Sequence, residues 1–290
     1  MYTMRPAAFT YHRPESVDEA VALLSRLEDS RPLAGGHSLL PAMKIRFSTP
    51  AALVDIGRIA GLGGIEREGD GLRIGALATH ASVAASELVR ADCRALAEAA
   101  ALIGDRQVRN RGTIGGSLAH ADPGADYPTV VRALGATITA VGTGGQREIA
   151  ADDFFTGIFA TALQPGELLT SVYVPATPAG TGAAYVKHKH PASGYAVVGI
   201  AAVVSVEGGT CTRARLVVGG VTGVPVDATA AAGQLVGRPG SEEAIAAAAG
   251  EVPEALTGVI GDTYASAAYR THLAKVLARR ALAEAFGRAA

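Results

Sequence analysis

Cysteine is nearly absent: Cys93 and Cys211 are the only two in 290 residues, and they lie far apart. Two thiols cannot build a disulfide framework, and they cannot supply the four thiolates of an ordinary iron–sulfur cluster. They read as buried free thiols of a reduced, cytoplasmic protein. Tryptophan is missing, and 26 Lys plus Arg nearly balance 27 Asp plus Glu, for a net charge of -1. That balance leaves no electrostatic footprint for nucleic acid. Long hydrophobic runs are missing too. The longest, Ala196 to Val206, is about half the ~20 residues a membrane-spanning helix needs. The opening MYTMRPAAFTYHRPES has no continuous apolar stretch of the signal-peptide kind.

What remains is 49% hydrophobic and 18% charged, enough for a sizeable core and too apolar for disorder. The length suits two or three domains. Glycine is in excess, 36 residues. Ser16 and Glu19 form a capping box, and Val17, Ala20, Val21, Leu23, Leu24 and Leu27 behind it have helical spacing. A strand into Pro32–Gly36, a short helix and a strand at Ala52–Ile56 complete a βαβ-like module ending near Gly57. Further on, Leu72–Ile74, Ala136–Val141 and Leu168–Val174 read as strands and Ala91–Ile103 as a helix. Pro175–Gly182 is the best linker candidate. Ala196–Val206 and Arg213–Val218 flank Glu207-Gly208-Gly209-Thr210 as a hairpin. The rest reads as helices at Ala228–Val236, Glu242–Ala249 and Tyr264–Gly287, the last striped by Leu273, Val276, Leu277, Ala281 and Leu282. The expected architecture is α+β: units at 1–57 and 58–176, then a C-terminal α+β domain at 177–290 with a small antiparallel sheet and helices.

Two glycine clusters stand out. In Leu33-Ala34-Gly35-Gly36-His37-Ser38-Leu39, glycines would expose successive N–H groups as an anion-binding nest, and Ser38 could cap the following helix or reach a phosphate oxygen. The plain alternative is a strand-to-helix turn that binds nothing. Thr113-Ile114-Gly115-Gly116-Ser117 repeats the chemistry, and two such clusters suggest a ligand with two phosphates between them. Asp126, on a Pro/Gly-bracketed turn, is placed either to accept from ribityl or ribose hydroxyls or to N-cap the next segment. Neither cluster fits the Walker or the G-x-G-x-x-G pattern, which disfavours a nucleotide triphosphatase and a Rossmann dehydrogenase.

Together these motifs, with Tyr11-His12-Arg13-Pro14, Gln107-Val108-Arg109-Asn110-Arg111-Gly112, Pro165-Gly166-Glu167-Leu168-Leu169, Tyr185-Val186-Lys187 and Gly194-Tyr195-Ala196, span nearly the whole chain. They resemble the FAD-binding (medium) subunits of molybdenum-containing hydroxylases, of the aerobic carbon monoxide dehydrogenase type. The resemblance implies a two-subdomain FAD-binding fold of the vanillyl-alcohol oxidase (PCMH) type followed by a smaller C-terminal domain. It implies that Pro32, Leu33, Ala34, Gly35, Gly36, His37, Ser38 and Leu39, with Thr113, Ile114, Gly115, Gly116 and Ser117, hold the pyrophosphate of FAD through backbone N–H groups. Asp126 would bind the polyol or ribose region. Leu169 would line the pocket near the adenine or the ring, with Lys187 nearby, and Tyr195 would lie against the isoalloxazine. Ser117 stands where the family very often has Asn, which offers more hydrogen bonds. The motif around His37 matches the non-covalent branch, and the cysteine count excludes relatives with an inserted iron–sulfur site.

The implied role is electron transfer. A large subunit carries the molybdopterin, a small one carries two [2Fe–2S] clusters, and this chain passes electrons through FAD to an external acceptor. The implied assembly is a dimer of heterotrimers, cytoplasmic or membrane-associated through the complex. A stand-alone flavin oxidoreductase would need an acid–base cluster near the ring, and none is evident. A flavin-free assembly scaffold is the remaining alternative. His188 and His190 share a strand face as a metal pair would, but without a third ligand they read as an exposed basic strand end. His120-Ala121-Asp122 resembles part of a proton relay, while the Asp-Pro-Gly turn explains Asp122 without chemistry.

Overall fold

The computed structural model describes residues 4–289. Ser16 starts the first helix as its spacing with Glu19 predicts. Its hydroxyl accepts the Glu19 N–H at 3.1 Å, and the helix runs Val17–Arg26. The reciprocal bond of the capping box slips by one residue, Glu19 accepting the N–H of Glu15 at 2.8 Å. Ala20, Val21 and Leu23 share a small core with Val54 and Ile56. The sheet beneath is parallel and three-stranded, with Ala52–Asp55 between Thr10–His12 and Ser30–Leu33.

The middle of the chain forms a five-stranded antiparallel sheet in the order Ile65–Glu68, Gly71–Gly75, Leu168–Pro175, Thr137–Gly142, Gly145–Ala150. Helices between His80 and Ala133 cover it, and Leu72, Ile74, Ile138 and Val172 meet Leu96, Ile114, Leu118 and Val130 in the main core. The helix expected over 91–103 is two helices, Glu87–Asp92 and Arg94–Leu102, split at Cys93 with φ -140° and ψ 54°. The break is held from far away in sequence: Thr177 donates its N–H to the Asp92 carbonyl at 2.7 Å. Both thiols are buried and free, as expected.

The linker candidate is held at both ends. Ala176 and Thr177 are tied by backbone hydrogen bonds, and Thr181 already begins the strand Thr181–Lys189. That strand pairs with Ala196–Glu207, then Thr210–Gly219, then Val226–Asp227, all antiparallel. At the hairpin, Gly208 (φ 55°) and Gly209 (φ 78°) supply the two left-handed residues a tight two-residue turn requires. Successive side chains leave opposite faces. Ala183, Tyr185, Ala201 and Val217 therefore join the main core, while Ala184, Val198, Ile200 and Ala202 meet the final helix, Ala267–Ala289. That helix buries Ala274, Leu277, Ala278, Ala281, Leu282 and Ala285, so three of the five expected stripe residues are buried, while Leu273 and Val276 are half-buried and alanines fill the rest.

His80 and Tyr127 are buried in the main core region with ring centres 5.3 Å apart. Burial, then the charges of His37 and Arg109, lower the His80 pKa to about 4. An unfolded histidine titrates near 6.5. Above that pH His80 is neutral in both states and its contribution is intact. As the pH falls from 6.5 toward 4, the unfolded chain takes up a proton that the folded chain refuses, and stability drops by up to about 3 kcal/mol. Denaturant unfolding at several pH values in this window should show a shallower decline for His80→Gln than for the parent. Parallel declines would mean that other groups carry the acid sensitivity.

Candidate functional site

The strand Ser30–Leu33 ends at Leu33, and the chain turns through Gly36 (φ +75°) into the helix Leu39–Lys44. No backbone N–H from Ala34 through Leu39 has an acceptor among the described residues. Ser38 occupies the N-cap position, yet its side chain makes no capping bond. His37 is exposed, with Nδ1 3.0 Å from the Gly35 carbonyl. The chain thus presents a row of donors with no partner of their own, the arrangement that receives an anion.

The second glycine segment lies directly against the first. A Cβ at Gly35 would fall 2.0 Å from the Arg111 carbonyl oxygen, and one at Gly116 would fall 3.9 Å from the Ala34 Cβ. Their chemistry differs, which corrects the expectation that both segments offer backbone N–H groups. Ile114 donates to the Ala78 carbonyl (3.0 Å), Gly115 to Ala76 (2.9 Å) and Ser117 to Thr113 (3.0 Å). Thr113 is the N-cap of the helix Ile114–His120, and its Oγ1 accepts the Gly116 N–H at 3.1 Å. What this segment leaves free is the exposed Gly116 surface and the half-buried Ser117 hydroxyl. Gly115 itself is a packing residue, since a Cβ there would come within 2.5 Å of the Ala76 Cβ.

Tyr195 completes the constellation. It is 41% exposed and packs on Gly124, where a Cβ would approach its ring to 3.3 Å. Partial burial and the Asp122 charge push its phenol up, while a hydrogen bond with Ser38 pulls the other way. Ser38 of the first segment and Tyr195, in the loop just before the strand Ala196–Glu207, therefore lie close together at one edge of the cradle. Asp122 Oδ1 accepts the Gly124 N–H at 2.8 Å, so the Asp-Pro-Gly sequence is a turn, as its plainer reading has it. No group of three or more metal-ligating side chains exists among the described residues.

Asp126 and Lys187 lie beneath this surface. Asp126 is 3% exposed and is the first residue of the helix Asp126–Ala133, after an Ala125 N-cap. It is neither on an open turn nor a cap. Its carboxylate accepts from Tyr185 Oη at 2.7 Å and from Lys187 Nζ at 2.8 Å, and the Lys187 side chain is 1% exposed. Lys187 also donates to the Leu102 carbonyl at 3.2 Å. Burial pushes the Asp126 carboxyl up and the Lys187 ammonium down, and each is the main counterweight to the other. Leu169 is 4% exposed within the main core, at a bulge where the neighbouring Thr170 carbonyl accepts the Ala76 N–H. The short helix Arg106–Arg111 was not assigned a role from sequence. Its Arg106 and Arg111 are exposed, the Arg111 backbone lies against Gly35, and its signal was the RQVRNR run leading into the second glycine segment.

Comparison with known proteins closes the question of family. A family model described as the FAD binding domain in molybdopterin dehydrogenase matches residues 7–177, and one described as the CO dehydrogenase flavoprotein C-terminal domain matches 183–285. The chain is 43% identical to the carbon monoxide dehydrogenase medium chain of Afipia carboxidovorans, with 99% of each chain covered. It is 39% identical to the 6-hydroxypseudooxynicotine dehydrogenase complex subunit alpha of Paenarthrobacter nicotinovorans, over 99% of this chain and 97% of that one. Among solved structures, carbon monoxide dehydrogenase from Hydrogenophaga pseudoflava superposes with a TM-score of 0.94 at 44% identity, covering 98% of this chain and 99% of the other. The two glycine segments, the fold that presses them together and these matches agree, and the chain belongs to the FAD-binding medium subunits of carbon monoxide dehydrogenase-type molybdenum hydroxylases.

Proposed function

We propose that the donor row from Ala34 to Leu39 holds the diphosphate of FAD. The single observation that carries this reading is that row of unpartnered N–H groups, lying where a Cβ at position 35 would collide with Arg111. The residues fit the group: a dianionic diphosphate needs several convergent donors at close backbone approach. The Ser117 hydroxyl adds a donor from the second segment, and Tyr195 offers a ring against the isoalloxazine. Pro32 and Leu33 deliver the chain to the cradle. Thr113, Ile114 and Gly115 position it from behind. Asp126, Lys187 and Leu169 support the site without touching the cofactor through their side-chain ends.

Bound FAD supplies electron transfer between iron–sulfur clusters on a small partner chain and an external acceptor. The chain's own tasks are to bind, to orient the ring and to leave one edge reachable. Molybdenum chemistry resides on a large partner chain, and the three form a cytoplasmic dimer of heterotrimers. In this reading units 1–57 and 58–176 hold the cofactor, and 177–290 contributes Tyr195. No helix of the described residues is long and apolar enough to cross a membrane.

Gly35→Ala should reduce flavin in the purified complex at least about tenfold, since relieving the clash requires the two segments to part. Flavin absorbance at the parental level would refute the placement of the diphosphate. Ser117→Ala should weaken FAD binding about five- to tenfold, the worth of about one hydrogen bond, with an unchanged unfolding midpoint. Lys187→Met should do the reverse. It leaves a buried carboxylate unpaired and costs about 3 kcal/mol of stability, while flavin retained by the folded fraction stays at the parental stoichiometry. Loss of flavin from folded Lys187→Met protein would return Lys187 to the binding surface.

A further inference from the structure

Tyr195 ends the connection formed by residues 190–195 between the strands Thr181–Lys189 and Ala196–Glu207. The His190 N–H donates to the Tyr195 carbonyl at 2.8 Å, and the Gly194 N–H to the His190 carbonyl at 2.9 Å. Between them Pro191, Ala192 and Ser193 stand exposed. The N–H groups of Ala192 and Ser193 find one acceptor among the described residues, Nδ1 of His190, at 3.3 and 3.4 Å. Asparagine and aspartate ordinarily fill such a place, because Oδ1 reaches the backbone N–H groups just ahead of it. Nδ1 of histidine sits the same number of bonds from its backbone, so here a ring nitrogen does the work of a carboxamide oxygen.

The ring itself is held in place. His190 is half-buried, not the exposed strand end that its basic neighbours suggest, and Tyr264 packs on it with ring centres 4.5 Å apart. Tyr264 belongs to a loop built on Asp262, whose Oδ1 accepts the N–H groups of Tyr264 and Ala265 at 2.8 Å each. Asp262 pairs with Arg270 of the final helix, and Arg270 Nη1 donates to the Val197 carbonyl at 2.8 Å, two residues past Tyr195. On the other side Gly194 (φ +74°) lies on Gly104, where a Cβ would come 3.2 Å from the Gly104 Cα. The connection is gripped from both sides, and the residue it delivers is Tyr195, packed on Gly124 and hydrogen-bonded with Ser38.

We propose that His190 is a positioning residue for the flavin site: its Nδ1 fixes the turn that aims Tyr195. The proposal rests on the reading that sets Tyr195 against the isoalloxazine, and it adds what determines that placement. Without an acceptor at position 190, the Ala192 and Ser193 N–H groups turn to water and the exposed turn loosens. The phenol then loses its fixed approach, and an aromatic contact weakens when its geometry is no longer set. Tyr264 serves the same end by keeping the imidazole in the one orientation that points Nδ1 into the turn.

The test uses the assembled complex and reads FAD affinity and the fluorescence of bound flavin, because a phenol in contact with the isoalloxazine quenches its emission. Tyr195→Ala should raise the FAD dissociation constant about three- to tenfold, the worth of one aromatic contact, and brighten the flavin. His190→Ala should move both readouts in the same direction, by at least about half as much on a logarithmic scale. His190→Asn should keep both at the parental level, since its Oδ1 accepts where Nδ1 did. The double variant His190→Ala with Tyr195→Ala should match Tyr195→Ala alone. Parental readouts for His190→Ala overturn the proposal, as does a His190→Asn complex impaired like His190→Ala, or a double variant in which the two losses add. Each of these leaves the ring placement standing. Parental readouts for Tyr195→Ala remove the ring placement, and this proposal with it.

Discussion

Gly35 and Arg111 meet backbone to backbone, and the rest of the cofactor region is arranged around that approach. The first segment can lie on the second because position 35 carries no Cβ to strike the Arg111 carbonyl. The surface it rests on is fixed from below: His80 donates its N–H to the Gly112 carbonyl at 2.9 Å, and a Cβ at Gly112 would come 2.5 Å from His80 Nε2. Two glycines and one buried imidazole thus form a stack without room for adjustment. Glycine loses more freedom on folding than other residues, and here that cost secures a distance no other side chain allows.

The two glycine segments divide the labour. One keeps its N–H groups free and behaves as a concentrated positive end. The other turns its N–H groups inward and behaves as a wall. An anion facing both would feel mainly the first. The deeper charges follow the same logic of separation. The Asp126–Lys187 pair joins the helix behind the second segment to the C-terminal sheet, with Tyr185 as a third member. A buried pair contributes little net stability against apolar replacements, but removal of one partner is severe. Next to Tyr195, the Ala196 N–H donates to the Gly124 carbonyl at 2.9 Å, a second tie between that sheet and the chain leading into the helix at Asp126.

Local patterns were legible where local chemistry decides the outcome. The Ser16–Glu19 cap, the glycine turn at 208–209 and the strands around Leu72 and Val172 all depend on neighbours in sequence. The first glycine segment was read correctly as a turn into a helix that exposes its N–H groups. The second was not, because its acceptors are the Ala76 and Ala78 carbonyls, set by how a distant strand end docks. Asp126 was misplaced for the same reason: nothing near it announces that Lys187 and Tyr185 will close over it. Cys93 interrupts a helix whose local composition favours continuity, and the carbonyl it frees is taken by Thr177.

The four-stranded C-terminal sheet has one face on the main core and the other under Ala267–Ala289. Synthesis runs in the opposite sense to protection. The strands Ala196–Glu207 and Thr210–Gly219 leave the ribosome long before the helix that covers their second face. During that interval a hairpin with an apolar, β-branched and alanine-rich surface stands uncovered, the condition under which edges and faces find wrong partners. The burden of this fold therefore falls in the interval between the hairpin and that helix, when a nascent-chain chaperone would have to stand in for a helix that is not yet made.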